Sequence, residues 1–217
     1  MAHIHLEDGT FTLLWVIIWW AVALSLITIS LIWLRKVKKA DNRTITIAAM
    51  CTAASFAVFQ IEIPVFGGVH LNLTPLIGIL IGPALGGIVA LIVNIFSAAI
   101  GHGGWGLVGA NLVINLSEIF TGYYVYRTLE RVIKAGTLAS AGIATLLGLL
   151  VGNMIMIAII MVSGIQGANN DPGSMLYGLS LLAAINMGVA VIEALITGYI
   201  VTYIKKIRPD MIQGAKP

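Results

Sequence analysis

Apolar residues fill this chain in long unbroken runs, and the polar positions that separate them fall in short groups. The first run, Phe11 to Leu34, holds no charged residue. It is longer than the roughly 20 residues a helix needs to cross a hydrocarbon core. Further runs cover about Thr44 to Ile63, Leu107 to Tyr126, Leu138 to Ser163 and Tyr177 to Ile204, and each predicts a membrane-spanning helix. The stretch from Leu71 to Ile100 is different: its 30 residues are too many for one upright helix and too few for two full ones. It contains Gly82-Pro83, and proline removes a helix donor and clashes with the preceding turn. The pattern predicts two short crossings hinged there, or a re-entrant pair, since broken membrane helices persist only when packed by protein or lining a cavity.

Charge sets the direction of these elements. All 12 Lys and Arg residues lie in three groups: Arg35, Lys36, Lys38, Lys39 and Arg43; Arg127, Arg131 and Lys134; Lys205, Lys206, Arg208 and Lys216. Loops rich in Lys and Arg stay cytoplasmic. One crossing between Leu71 and Ile100 would put Arg127, Arg131 and Lys134 outside, whereas two restore the rule. The expectation is an all-α integral membrane protein, a seven-helix bundle with the N-terminus outside, the C-terminus cytoplasmic, and helices 3 and 4 short or broken. His3, His5, His70 and His102 then share the outer face, where no positive charge competes. The acidic start (Glu7, Asp8) lacks the basic region and cleavage site of a signal peptide, so the first run is read as a retained helix.

Composition agrees: 59% of residues are hydrophobic, 10% are charged, and mean hydropathy is +1.01, against about 25% charged in soluble domains. The net charge of +3 is explained by the basic loops and does not point to nucleic acid. The single Cys51 excludes a disulfide framework. The chain reads as one membrane domain, 1–217, with an outer N-terminal segment (1–10), an additional first helix (11–34), a six-helix core (44–204) and a cytoplasmic tail (205–217).

The candidate chemistry sits at the outer end. Met1-Ala2-His3 can wrap a metal with the terminal amine, backbone amide nitrogens and the His3 ring. Such fused-ring chelation needs loss of amide protons, which nickel(II), copper(II) and cobalt(II) can drive and oxygen-seeking magnesium cannot. With Met1 retained, the amine, two amides and His3 supply four nitrogens. With Met1 trimmed, the Ala2 amine and the amide and ring of His3 supply three, and His70 can close the square. By itself an N-terminal His is merely a solvated polar residue; the helix beginning soon after it and the shared histidine face shift the reading. His70 follows Gly67-Gly68, which permit close backbone approach. His102, in Gly101-His102-Gly103-Gly104, suits a structural or gating role, with His5 and His102 as second-tier ligands.

These residues resemble the CbiM/NikM family, the substrate-binding membrane (S) components of energy-coupling-factor (ECF) importers for cobalt and nickel. The resemblance rests on an N-terminal His followed by Glu7, Asp8, Gly9 and Phe11, then Gly67-Gly68-Val69-His70-Leu71-Asn72, Leu80-Ile81-Gly82-Pro83, Gly101-His102-Gly103-Gly104 and Gly109-Ala110-Asn111. It implies Co2+ or Ni2+ as transported substrate, no cofactor, a prokaryotic plasma membrane location, and metal ligation by the terminal amine, His3 and His70. The family usually begins Met-His; here Ala2 intervenes, and removal of Met1 would restore the spacing. The resemblance also implies partners: a transmembrane coupling (T) subunit, ATPase subunits and a small accessory membrane subunit. No Walker-type loop ending in Lys-Ser or Lys-Thr occurs, so the chain is expected to be a transporter subunit and not an enzyme. Ala49, Ala53 and Ala57 recur every four residues on one face of the second span, a small-residue surface that lets membrane helices approach closely, and the family uses such a stripe against its coupling subunit. Internal packing is the competing reading.

Glu118 and Glu193 are costly in hydrocarbon and should face the protein interior. They serve either as a relay or second cation site, or as hydrogen-bonded ties with Asn111, Asn115 or Asn186. Met154, Met156 and Met161 form no evident thioether ladder for copper(I). Two other function classes remain open at this point: a self-sufficient divalent-cation channel or secondary transporter, and a non-transporting membrane adaptor. Paired acids or repeated halves would mark a transporter of the first kind, and no repeat is visible.

Overall fold

A computed structural model describes residues 4, 8–37, 42–60, 62–63, 69–167 and 171–212. The chain is helical almost throughout: α1 (Leu13–Val37), α2 (Asn42–Phe59), α3 (Thr74–Ala99), α4 (Val108–Thr128), α5 (Thr137–Ser163) and α6 (Pro172–Ile207). A π turn, Leu129–Ile133, extends α4. The described exception to the all-helical expectation is a minimal antiparallel ladder of β1 (Glu62–Ile63) and β2 (Val69–His70), pairing Glu62 with His70. Accordingly α2 stops at Phe59 instead of running on to Ile63. At the other end of the chain α6 begins before the expected Tyr177, because Asp171 caps it by accepting a hydrogen bond from the Ser174 N–H (2.9 Å) and Pro172 occupies its first turn.

Four helices, α1, α3, α5 and α6, are long and apolar enough to cross a membrane. α1 shows what this environment asks of a sequence. Only Ala23, Ile27, Ser30 and Leu34 are buried along it, at the spacing of one helix face. Its first turns, with Trp15, Val16 and Trp19, are half-buried against the bundle, and most of the remaining surface is apolar and exposed, as suits a helix whose solvent is lipid. The buried face packs on Ala90, Leu112, Leu116 and Ile119. Contact with α4 is close at Gly109, where an added Cβ would lie 2.6 Å from the Trp20 nitrogen.

Six α-helical ranges are described where seven helices are expected, because the third and fourth meet at Gly82-Pro83 with no loop between them and share the range of α3. The expected break is nevertheless there. Gly82 has φ 79° and ψ 170°, outside any helical conformation, and Pro83 follows. A Cβ at Gly86 would lie 3.4 Å from the Ile77 side chain. Nine residues of straight helix rise about 13 Å, so the two arms fold back on each other as a hairpin. Most of that hairpin is buried, and it forms the centre against which α2, α4 and α6 pack.

The described members of the three basic groups lie at one end. α1 runs parallel to α4, since Trp20 meets Gly109 near the start of α4 while Trp33 shares a cavity with Tyr124 near its end. Arg35 and Lys36 therefore lie at the same end as Arg127. Lys205 joins them through an ion pair with Glu130, whose carboxylate also accepts hydrogen bonds from Tyr126 (2.9 Å) and Thr137 (3.3 Å). Burial alone would raise the Glu130 carboxyl, but the bonds from Lys205, Tyr126 and Thr137 outweigh it and hold the group below its usual range. His70 and His102 lie at the opposite end, with the turn between α3 and α4.

Gly82→Ala tests the hairpin. A side chain at this φ and ψ is strained by about 1–3 kcal/mol, so thermal unfolding in detergent should show a loss of that order. Unchanged stability would mean that the chain does not turn there.

Candidate functional site

His70 ends β2 and is 3% exposed. Its ring meets that of His102 edge-on, with centroids 4.3 Å apart and planes at 88°. Phe59, from the end of α2, packs against both, at 5.6 Å from His70 and 5.1 Å from His102. His102 sits on a turn in which Gly101 (φ 80°) and Gly103 (φ 94°) adopt backbone conformations that favour glycine. Its N–H donates to the Ser97 carbonyl (2.8 Å).

Beyond His70 the chain turns into the bundle without regular structure until α3 starts at Thr74. Backbone groups at such depth must be satisfied by protein. The Asn72 N–H donates to one oxygen of Glu193 and the Leu73 N–H to the other, each at 3.2 Å. The Asn72 side-chain amide donates to Asn115 Oδ1 (3.0 Å) and to Glu118 (3.4 Å), and the Thr74 hydroxyl donates to Glu118 as well. These bonds hold Leu73 at φ 53°, a left-handed conformation costing a non-glycine residue about 1–3 kcal/mol. Glu118 and Glu193 are thus hydrogen-bonded ties. Of the three asparagines expected to share that task, Asn115 does so. Asn186 instead donates to Asn153 (3.0 Å), and Asn111 serves the N-terminal segment.

Within that segment Ile4 is anchored inside the protein. Ile4 is 2% exposed; its N–H donates to Asn111 Oδ1 (2.8 Å), and Asn111 Nδ2 donates back to the Ile4 carbonyl (3.2 Å). Further along, Asp8 accepts from the Gly106 N–H (2.8 Å), and the Thr10 carbonyl accepts from the Gln166 N–H (2.9 Å). Asn111 and Asn115 stand four residues apart on α4, so their Cβ atoms are about 5–6 Å apart on one face. The residue after His3 and the residue two past His70 are therefore clamped at neighbouring positions of a single helix. Met1, Ala2, His3 and His5 lie outside the described residues. Among the described residues no three His, Cys, Asp or Glu side chains converge as a metal site. Ile4 is held one helical turn along α4 from the position that holds Asn72.

The sequence reading missed the Asn111 clamp and the ring of Phe59. Asn111 carried a signal, because an amide in a membrane span is costly unless partnered; Phe59 carried none. Ala49, Ala53 and Ala57 are all exposed, while Ile47, Cys51 and Phe56 of the same helix face the hairpin. The alanine stripe is therefore not an internal packing surface among the described residues.

Comparison with known proteins agrees with this architecture. The family described as "Cobalt uptake substrate-specific transmembrane region" (CbiM) matches residues 5–211, and the chain belongs to it. A relative in Archaeoglobus fulgidus named for fused nickel transport (NikMN) is 30% identical over 96% of this chain and 68% of its own length. One in Methanosphaerula palustris named for cobalt transport (CbiM 1) is 24% identical over 96% of this chain and 91% of its own. The crystal structure of a transition metal transporter superposes with a TM-score of 0.76 at 21% identity, covering 94% of this chain and 93% of that one, so the fold is shared. The chain is a multi-pass protein of a prokaryotic plasma membrane, and its relatives are named for transport, not for enzymatic activity.

Asn111→Ala removes both bonds to Ile4. It should speed deuterium exchange at the Ile4 amide and cost about 1–3 kcal/mol of stability. Unchanged exchange at Ile4 would mean that Asn111 does not hold the segment.

Proposed function

We propose that this member of the family is the substrate-specificity component of an ATP-driven ECF importer, capturing Co2+ or Ni2+ as its substrate at the outer face. One observation carries the reading: successive turns of α4 hold the chain beside His3 and the loop of His70, through Asn111 and Asn115. With Met1 removed, the Ala2 amine, the amide nitrogen and ring of His3, and His70 make a planar set of four nitrogens. With Met1 retained, the amine, two amides and the His3 ring fill the plane and His70 is displaced from it. His102, edge-on to His70, orients that ring or gates access, and His5 is a secondary donor. Planar nitrogen sites favour nickel(II), cobalt(II) and copper(II) over zinc, and copper(II) binds at least as tightly in vitro, so selection in the cell rests partly on metal supply.

In this reading the N-terminus is outside, the basic end is cytoplasmic, and the hairpin arms count as two short helices, crossing or re-entrant, giving seven. The proposed energy source is a set of ATPase subunits acting through a transmembrane coupling subunit, with a small accessory subunit. The exposed Ala49, Ala53 and Ala57 face of α2 supports a close helix contact with that coupling subunit.

Blocking the terminus is the decisive manipulation. Acetylation or an N-terminal extension should abolish tight nickel and cobalt binding, as should His3→Ala; an extended protein that still binds tightly excludes a terminal-amine site. In reconstituted vesicles, uptake should require the coupling and ATPase subunits; uptake by the chain alone would favour a self-sufficient channel. Ala53→Leu should impair assembly with the coupling subunit while leaving metal affinity unchanged. Normal assembly in that variant would remove the stripe from the interface.

A further inference from the structure

Glu193 is the one acid of α6 inside the bundle, and it is 0% exposed. Its two carboxyl oxygens are aimed at consecutive backbone N–H groups, Asn72 and Leu73, with one bond to each. We propose that Glu193 is the positioning residue of the metal loop, setting through Asn72 and Leu73 where His70 presents its ring. The inference rests on the metal-capture reading and assigns a role to a residue that lies outside the ligand set.

Three features support it. The two N–H groups belong to irregular chain buried in the bundle, where an unmet donor is costly. Leu73 is the residue preceding α3 and makes no side-chain cap of its own. Glu193 instead meets, from another helix, the N–H of that residue and of the one before it, and so fixes the chain as it enters α3. Finally, only Leu71 separates His70 from Asn72, so a shift of the clamped backbone passes directly to the imidazole. Glu118 plays a different part, gripping side chains of the same loop (Asn72 and Thr74) and leaving its backbone to Glu193. Partners that orient a ligand from one step away commonly matter ten- to a hundredfold in metal affinity.

Glu193→Gln preserves volume but leaves one acceptor facing one N–H and turns an NH2 toward the other. The experiment titrates nickel(II) sulfate into the detergent-purified full chain, reading affinity and the nickel d–d absorption band. Glu193→Gln should bind about ten- to a hundredfold more weakly with a shifted band. The control is Asn153→Ala, which breaks a buried α5–α6 hydrogen bond without touching the loop; it should keep affinity and band. Wild-type affinity and band in Glu193→Gln, or an equal loss in Asn153→Ala, overturns the proposal. Deuterium exchange at the Asn72 and Leu73 amides, measured without metal, should rise in Glu193→Gln, and preserved protection also overturns it. Should Glu193→Gln fail to fold, Glu193→Asp keeps both acceptors but withdraws them by one methylene, and it should show a smaller loss in the same direction. A wild-type chain that binds neither nickel nor cobalt sinks the metal-capture reading instead, while the exchange measurement still decides whether Glu193 holds the loop.

Discussion

An irregular strand of backbone has been carried into a membrane protein, and everything around it is arranged to satisfy its polar groups. Hydrocarbon offers no hydrogen bonds, so Glu193 meets the backbone N–H groups of Asn72 and Leu73 while Asn115 and Glu118 meet the Asn72 side chain, from two other helices. The arrangement fixes much else. It gathers Asn111, Asn115 and Glu118 of α4 on an interior face, and α4 is correspondingly less apolar than α1, α3, α5 and α6. It holds a left-handed Leu73 just before α3, and it brings the His70 loop to the helix that also holds the N-terminal segment.

Small residues make that packing possible. Gly78 lies so close to α4 that a Cβ there would come within 2.5 Å of the Ile119 carbonyl oxygen, and Gly152 leaves room for the Glu118 side chain. In lipid there is no hydrophobic drive between helices, so close approach and interhelical hydrogen bonds do the associating. The same rule applied outward explains α2. Its Ile47, Cys51, Phe56 and Val58 face the hairpin, while Ala49, Ala53 and Ala57 remain on the surface, a face suited to another helix.

Much of this was readable in the residues. The long apolar helices α1, α5 and α6 followed from run length, and the gathering of the described Lys and Arg at one end followed from the cost of moving charge across a bilayer; the geometry of α1, α4 and the Glu130–Lys205 pair agrees with it. Gly82-Pro83 announced a break, and the backbone turns there. What could not be read was partner choice. Asn111, Asn115 and Asn186 are chemically equivalent in sequence, yet they hold the N-terminal segment, the His70 loop and α5 respectively. That assignment depends on which helices become neighbours, and periodicity is silent about neighbours in a chain whose outer surface is as apolar as its core. The short β ladder at His70 was hidden for a similar reason, since two-residue strands carry no alternation to detect.

The central claim is that the N-terminal segment and the His70 loop, clamped on adjacent turns of α4, together form one planar nitrogen site for a divalent transition metal. X-ray absorption at the nickel edge of the loaded full-length protein tests it most directly. The account predicts a square-planar centre of four nitrogens that include non-imidazole donors. An octahedral, oxygen-rich centre, or one bound through imidazoles alone, would contradict it.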